Sequence, residues 1–337
     1  MSDEIGEIPE AAARFLDRAG PVLSEAAQVM RRTDPPLVLT VARGSSDHAA
    51  TYLKYVVEIM AGVPVATAAP SLASIYRRQL RLQSAACIGI SQSGQSQDIV
   101  EMMGSARQSG GLTIAITNSV DAPLAEACEF VLPLHAGIEK SVAATKSYVI
   151  SVMAAIALVA EWQDDDALRR AVAQLPEQCA AALELDWSRL SDRLVTANSL
   201  YVLGRGPGFA IAKEMALKFK ETCALHAESY SAAEVFHGPA ALVQDRFPIL
   251  ALALEDDARA PVQSTAERLA EQGADVFVTG EGAPGPTFAL PTLSDMHPKT
   301  APLLLIVTFY RFVEALARRR GLNPDEPPHL RKITITR

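Results

Sequence analysis

Short apolar or β-branched runs alternate with longer stretches of helical spacing throughout the first half of the chain. Runs at 37–42, 63–67, 86–90, 112–117 and 130–134 have strand length and strand composition. Alternation of this kind predicts βαβ units around a parallel sheet. The second half follows the same scheme, with strands predicted at 200–203, 249–254, 275–279 and 288–290 and helices over 209–224 and 261–272. Residues 168–196 between the halves are helical in pattern and charged, with Pro176 as the one breaker.

The halves also correspond residue by residue. Arg43-Gly44 and Arg205-Gly206 each follow a strand and precede a helix at an offset of 162 residues, and the same offset pairs Cys87 with Ile249 and Thr113 with Asp275. A constant offset over three elements predicts an internally repeated lobe. The expected fold is therefore α/β: two tandem doubly wound parallel-sheet lobes, flavodoxin-like in three αβα layers, with a C-terminal tail. The expected boundaries are an N-terminal helical segment at 1–34, a first lobe at 35–165, a helical connection at 166–196, a second lobe at 197–322 and a tail or lid at 323–337.

Length and composition agree, since 337 residues accommodate two cores of about 150 residues each. With 49% hydrophobic, 21% charged and 6% aromatic residues, the chain has the profile of an Ala/Leu/Val-rich soluble protein. A net charge of −8 argues against a general nucleic-acid or anionic-membrane surface, but a small phosphate needs only a local site. The four cysteines (Cys87, Cys128, Cys179, Cys223) lack C-x-x-C spacing, so reduced thiols are expected, with neither disulfide nor zinc. The acidic start lacks a secretory pattern, and the longest mostly apolar run, 148–160, is too short to span a bilayer. A cytoplasmic protein is expected, with no cofactor and no metal.

The loop Ser91-Gln92-Ser93-Gly94-Gln95-Ser96 joins the third predicted strand to a helix at the carboxyl edge of the sheet, where open α/β folds bind ligands. Hydroxyls, amides and helix-start N–H groups can together hold a phosphate without a lysine. A Ser-rich turn can equally be a simple helix cap. Arg43-Gly44-Ser45-Ser46 forms a second loop of the same kind beside it, with Arg43 either a ligand-side or a surface charge. In the second lobe the equivalent positions are carboxylate-rich, Glu255-Asp256-Asp257, so an anionic ligand belongs to the first lobe. Segment Glu139-Lys140-Ser141-Val142-Ala143-Ala144-Thr145-Lys146 opens a long apolar helix and reads either as a capped start or as ligand contact.

Spacings of four and three put Glu214, Lys218 and Glu221 on one helix face, as an exposed ion pair or a working one. His226, Glu228, Glu234 and His237 follow within twelve residues. His237-Gly238-Pro239 is a turn, so that imidazole sits on a loop, whereas His226 reads as a hydrogen-bonded structural residue. Glutamate with histidine is a common proton-transfer pair.

These motifs, with the tail Leu330-Arg331-Lys332-Ile333-Thr334-Ile335-Thr336, resemble the sugar-isomerase (SIS) family over nearly the whole chain. The likeness is to the isomerase domain of glutamine:fructose-6-phosphate amidotransferase and to stand-alone SIS-type glucosamine-6-phosphate deaminases. The resemblance implies that Ser45, Ser46, Ser91, Gln92, Ser93 and Ser96 hold the sugar phosphate and that Val142 touches the sugar. It implies that Glu221 moves a proton between C1 and C2 and that His237, from the neighbouring subunit of a homodimer, assists ring opening. Lys332, on a lid, would form an imine with the open ketose, and Lys218 would be a second active-site lysine.

The chain departs from that family in places. Ala144 stands where a serine is frequent, Arg43 where a small residue is, and Gln95-Ser96 where Glu-Thr is common. The chain begins Met1-Ser2, without an N-terminal nucleophilic cysteine and the domain that carries it, so glutamine is not expected as nitrogen source. The expected reaction is deamination of glucosamine 6-phosphate to fructose 6-phosphate and ammonia. A fructosamine-6-phosphate deglycase and a non-catalytic phosphosugar sensor are the other readings.

Overall fold

The computed structural model describes residues 1–332; the last part of the expected tail, residues 333–337, lies outside the described residues. The chain divides into two compact units. One holds Glu7–Glu139 and Lys146–Pro176, with Arg331 and Lys332; the other holds Met1–Gly6, Lys140–Thr145 and Glu177–Leu330.

In the first of these, β1 (Val38–Ala42), β2 (Val65–Thr67), β3 (Ala86–Ile90), β4 (Leu112–Thr117) and β5 (Phe130–Pro133) form a parallel sheet in the order β2-β1-β3-β4-β5. Every residue of β1, β3 and β4 is buried, as expected for a parallel sheet with both faces covered. On one face Ile99, Met102 and Met103 of the Gln97–Gln108 helix pack against Val41, Cys87 and Ala115. The helices Ile8–Thr33, Ser45–Met60 and Lys146–Trp162 pack together as a second helical group. The last of these is buried along its length except at Glu161, so its all-round apolar character reflects a core position. Among the described residues no helix is long and apolar enough to cross a membrane.

The other unit contains β6 (Ser199–Gly204), β7 (His226–Ser231), β8 (Pro248–Ala251), β9 (Asp275–Thr279) and β10 (Phe288–Leu290), all parallel, in the order β10-β9-β8-β6-β7. This is the strand order of the first sheet. Helix Pro207–Cys223 packs on Ala301–Arg319, with the Phe219 and Phe309 rings edge-to-face at 5.0 Å. Thus the two parallel-sheet α/β lobes expected from the alternation are present, the second with one strand more than the four predicted.

Two local readings differ. Residues 226–231, where no strand is predicted, form β7, because His226 to Ser231 pair in register with Ser199 to Gly204. The strand expected to reach residue 254 ends at Ala251. Pro176 does interrupt the helical stretch as expected: the Asp166–Ala173 helix ends before it, and it lies in the first turn of the Leu175–Ala182 helix, where its missing N–H costs nothing. The four cysteines are free and buried. Burial pushes the thiols of Cys87 and Cys223 up to about 11 and those of Cys128 and Cys179 up to about 12.

Candidate functional site

Two strand-to-helix loops meet at the carboxyl edge of the first sheet, where the strand order reverses between β1 and β3. Gly44 leads from β1 into the Ser45–Met60 helix at φ 56°, ψ −134°, and Gly206 repeats the geometry after β6 at φ 58°, ψ −139°. Such angles lie in a region that only glycine adopts freely, and they place Ser45 and Ser46 in the first helical turn. Gly94, at φ 63°, makes the second approach, and a Cβ on it would come within 2.6 Å of the Ala122 Cβ.

Between these loops, residues 91–96 form an ordered turn. The Ser91 N–H donates to the Ile116 carbonyl at 3.1 Å, and the Gly94 N–H to Ser91 Oγ at 3.2 Å. The Gln92 carbonyl accepts from the Asn118 N–H at 3.1 Å. Ser96 is the cap residue of the Gln97–Gln108 helix, yet its side chain makes no cap hydrogen bond. Thus the simple-cap account does not occupy its hydroxyl. Gln92, Ser93 and Ser96 are half-buried and Ser91 is buried. Arg43 is fixed across the same edge: its Nε and Nη2 donate to Asp98 Oδ2 at 3.0 and 2.9 Å. Asp98 is buried in the first turn of that helix, where a carboxylate suits the helix dipole but opposes an incoming anion, and the guanidinium offsets this charge. In the second sheet the matching loop supplies its own anion, as Asp256 Oδ1 accepts the Ala258 N–H at 2.9 Å.

The same unit holds Lys332. Its Nζ lies 2.8 Å from Oε2 of Glu139, whose other partners include the N–H and hydroxyl of Ser147 at 3.1 and 2.6 Å. Lys146, buried at the start of the following helix, is paired with Glu7.

In the other unit, Glu214, Lys218 and Glu221 share one face of the Pro207–Cys223 helix, but this face is not an exposed one. Lys218 and Glu214 are fully buried and only Glu221 reaches solvent, with 19% of its side chain exposed. Lys218 Nζ lies 3.0 Å from Glu214 Oε1 and 2.6 Å from Glu221 Oε2. Tyr310 donates its hydroxyl to Glu214 Oε1 at 3.1 Å from the Ala301–Arg319 helix. Burial alone would push the Lys218 ammonium down, but the charges of Glu214 and Glu221 carry it above the usual lysine range.

Glu221 opens into a cavity of about 500 Å³, bounded on its helix by Leu217 and Lys220 and opposite by Asn323, Pro328 and His329. A carboxylate at its wall, with a protonated lysine behind it, can take and return a proton. Val142 is half-buried in the same unit: its N–H donates to the Asp325 carbonyl at 3.3 Å, and Ser141 Oγ to Asp325 Oδ1 at 2.8 Å. Glu4 accepts the N–H groups of Lys140 and Ser141.

His237 ends a short 3₁₀ turn, Val235–His237, and is exposed; it does not border the Glu221 cavity. His226 shares a hydrogen bond with Ser199 Oγ at 3.0 Å. Among the described residues no group of His, Cys, Asp and Glu is arranged to hold a metal ion.

Sequence reasoning overlooked Asp98, Tyr310 and the specific part played by Glu139. Tyr310 has no local signal, lying 96 residues from its partner. Glu139 had one, as the acid that opens a motif followed by a buried helix.

The SIS domain family matches residues 34–161 and 193–283. The chain is 32% identical to the glutamine–fructose-6-phosphate aminotransferase (isomerizing) of Aquifex aeolicus, over 100% of this chain and 57% of that protein. With the same-named protein of Symbiobacterium thermophilum it shares 31% identity over 88% of this chain and 51% of that one. The chain spans about half the length of the curated relatives it matches. Among solved structures, one from Silicibacter pomeroyi DSS-3, described as a candidate phosphosugar isomerase, superimposes with a TM-score of 0.93 at 48% identity, covering 96% of this chain and 98% of that one. The glucosamine-6-phosphate deaminase of Thermotoga maritima shares the fold, with a TM-score of 0.78 at 21% identity over 99% of both chains.

Proposed function

Because this chain belongs to the SIS domain family, we propose that it is a phosphosugar aldose–ketose isomerase whose isomerisation releases an amine. Its substrate in this reading is glucosamine 6-phosphate, which with water gives fructose 6-phosphate and ammonia. The observation that carries the reading is Glu221, which borders an open cavity while Lys218 and Glu214 back it from the core.

Residues Ser45, Ser46, Ser91, Gln92, Ser93 and Ser96 hold the phosphate with backbone N–H groups and hydroxyls. His237, delivered by the second subunit of a homodimer, assists ring opening. Glu221 removes the C2 hydrogen of the open-chain sugar as a proton and returns it to C1, converting the C2 amine into an imine through an enolamine. Lys218 does not touch substrate in this account; buried beneath Glu221, it holds that carboxylate in place across 2.6 Å. Lys332 displaces ammonia from the C2 imine, and water then releases the ketose. Val142 bounds the sugar.

The test is ammonia release by the purified chain from glucosamine 6-phosphate, run beside galactosamine 6-phosphate and fructoselysine 6-phosphate. Release from the first supports the proposal. Turnover of fructoselysine 6-phosphate alone would make the protein a deglycase, and silence with all three, with phosphosugar still bound, would make it a sensor.

A further inference from the structure

Glu139 is a carboxylate with no solvent access, placed in the loop before the Lys146–Trp162 helix. A buried carboxylate is tolerated only where hydrogen bonds and a counter-charge replace water. Here Ser147, in the first turn of that helix, supplies two of the hydrogen bonds through its N–H and its hydroxyl. The counter-charge arrives from far along the chain, as the ammonium of Lys332, 193 residues away. Lys332 is itself 24% exposed, so its amine has a buried carboxylate on one side and an open side on the other. A surface ion pair between two flexible side chains would fix nothing. One whose acid is immobile fixes the position of the base.

We propose that Glu139 is the positioning residue of Lys332: it docks the amine and accepts the proton that the amine must lose before it can attack a sugar carbonyl. The proposal rests on the reading of Lys332 as the imine-forming amine. The steps balance as follows. The Lys332 ammonium gives one proton to Glu139, leaving a neutral amine and a carboxylic acid. Written from the ketose, the reverse of the release direction, the amine lone pair adds to the C2 carbonyl of the open sugar, and proton transfer from nitrogen to oxygen gives a carbinolamine. Glu139 then returns its proton to the hydroxyl, which leaves as water while the nitrogen lone pair forms the C=N bond. The products are a protonated imine, one water and Glu139 ionised again. No oxidant, metal or further reactant is required.

The experiment uses the full chain and first needs no sugar. Wild type and Glu139→Gln are treated with a limiting neutral amine-acylating ester between neutral pH and about pH 10, and the extent of acylation is read at each lysine by peptide mass spectrometry. Exposed Lys220 serves as the internal standard. In wild type, Lys332, with its Nζ held 2.8 Å from Glu139 Oε2, is expected to react about tenfold more slowly than Lys220. In Glu139→Gln that protection disappears. Glu139→Asp, which keeps the charge and withdraws it from Nζ, gives an intermediate rate. Equal reactivity of Lys332 and Lys220 in wild type would overturn the proposal without reference to any variant, so a poorly folded Glu139→Gln protein does not shelter it.

The second arm adds fructose 6-phosphate and borohydride, which reduces a protonated imine on Lys332 to a stable secondary amine. The adduct is expected in wild type and to form at least about tenfold more slowly in Glu139→Gln. Equally fast trapping in both would overturn the proton-transfer step. Protection of Lys332 from acylation without any trapped adduct in wild type would leave the docking intact, and would overturn the proton-transfer step and the reading of Lys332 as the imine-forming amine.

Discussion

Lys218 holds its ammonium 2.6 Å from Oε2 of Glu221 and 3.0 Å from Oε1 of Glu214, with none of the lysine side chain open to solvent. Removing a fully buried cation that two acids share takes a close counter-charge from both. Lys218→Met is therefore expected to destabilise the fold by about 3–5 kcal/mol, measured by urea unfolding. Because the folded-state pKa of Lys218 is raised, its contribution is fully present below the unfolded value near 10.4 and is lost only as pH rises through the higher folded value. Wild-type and Lys218→Met stabilities should accordingly differ by a constant amount from neutral pH to about pH 10. A difference that collapses near neutrality would contradict the pairing.

Tyr310 completes the arrangement from a different helix by donating its hydroxyl to Glu214. In Tyr310→Phe the carboxylate loses a buried donor without losing its lysine. The expected cost is about 1–3 kcal/mol, smaller than that of Lys218→Met, and turnover should fall less than in any Glu221 variant. Parallel unfolding and rate measurements on the three proteins check the ranking.

Gly94 ties the conformation of the turn to the phosphate binding proposed for it. Alanine at this position needs both a positive φ and a Cβ 2.6 Å from that of Ala122, so the turn at residues 91–96 must shift. Gly94→Ala should weaken phosphosugar binding, measured by calorimetry, by about tenfold or more, while Gly104→Ala, with open space around its Cβ, leaves binding unchanged.

Arg43 and Asp98 give an electrostatic prediction at the same edge. Arg43→Met leaves Asp98 unpaired at the helix start, so phosphosugar affinity should drop by about tenfold, and Asp98→Asn in the same protein should restore most of it. No recovery in the double variant would mean that Arg43 acts on the ligand directly.

Glu4 provides a test in acid. Burial alone would raise its pKa, but the hydrogen bonds from Ser141 and Lys140 outweigh this and lower it. Stability from a lowered carboxylate is complete above the unfolded value near 4.3 and is lost as pH falls through the folded one. Unfolding of wild type and Glu4→Gln should differ at neutral pH and converge below about pH 4.

Strand and helix alternation was legible because each central strand is buried on both faces and so must be a continuous apolar run. β7 was not, since His226, Glu228 and Ser229 belong to an edge strand with polar positions. The 162-residue offset would have found it, for it carries Val65–Thr67 of β2 onto residues 227–229. Helical spacing aligned Glu214, Lys218 and Glu221, but spacing cannot distinguish a solvated face from a buried one. That depended on the Ala301–Arg319 helix, about ninety residues onward, which covers it and brings Tyr310. The pairing of Lys332 with Glu139 had no signature in the sequence, because an ion pair across 193 residues leaves no periodicity.

The most direct test of the account follows the hydrogen itself. Glucosamine 6-phosphate deuterated at C2 is incubated with wild type and with Glu221→Gln, and the label is traced by NMR in the ketose and in water. The account predicts ammonia and fructose 6-phosphate from wild type, with deuterium at C1 or exchanged into water, and no label movement in Glu221→Gln despite normal sugar binding. Label movement at the wild-type rate in Glu221→Gln would contradict it, because the proton would then be carried by another group.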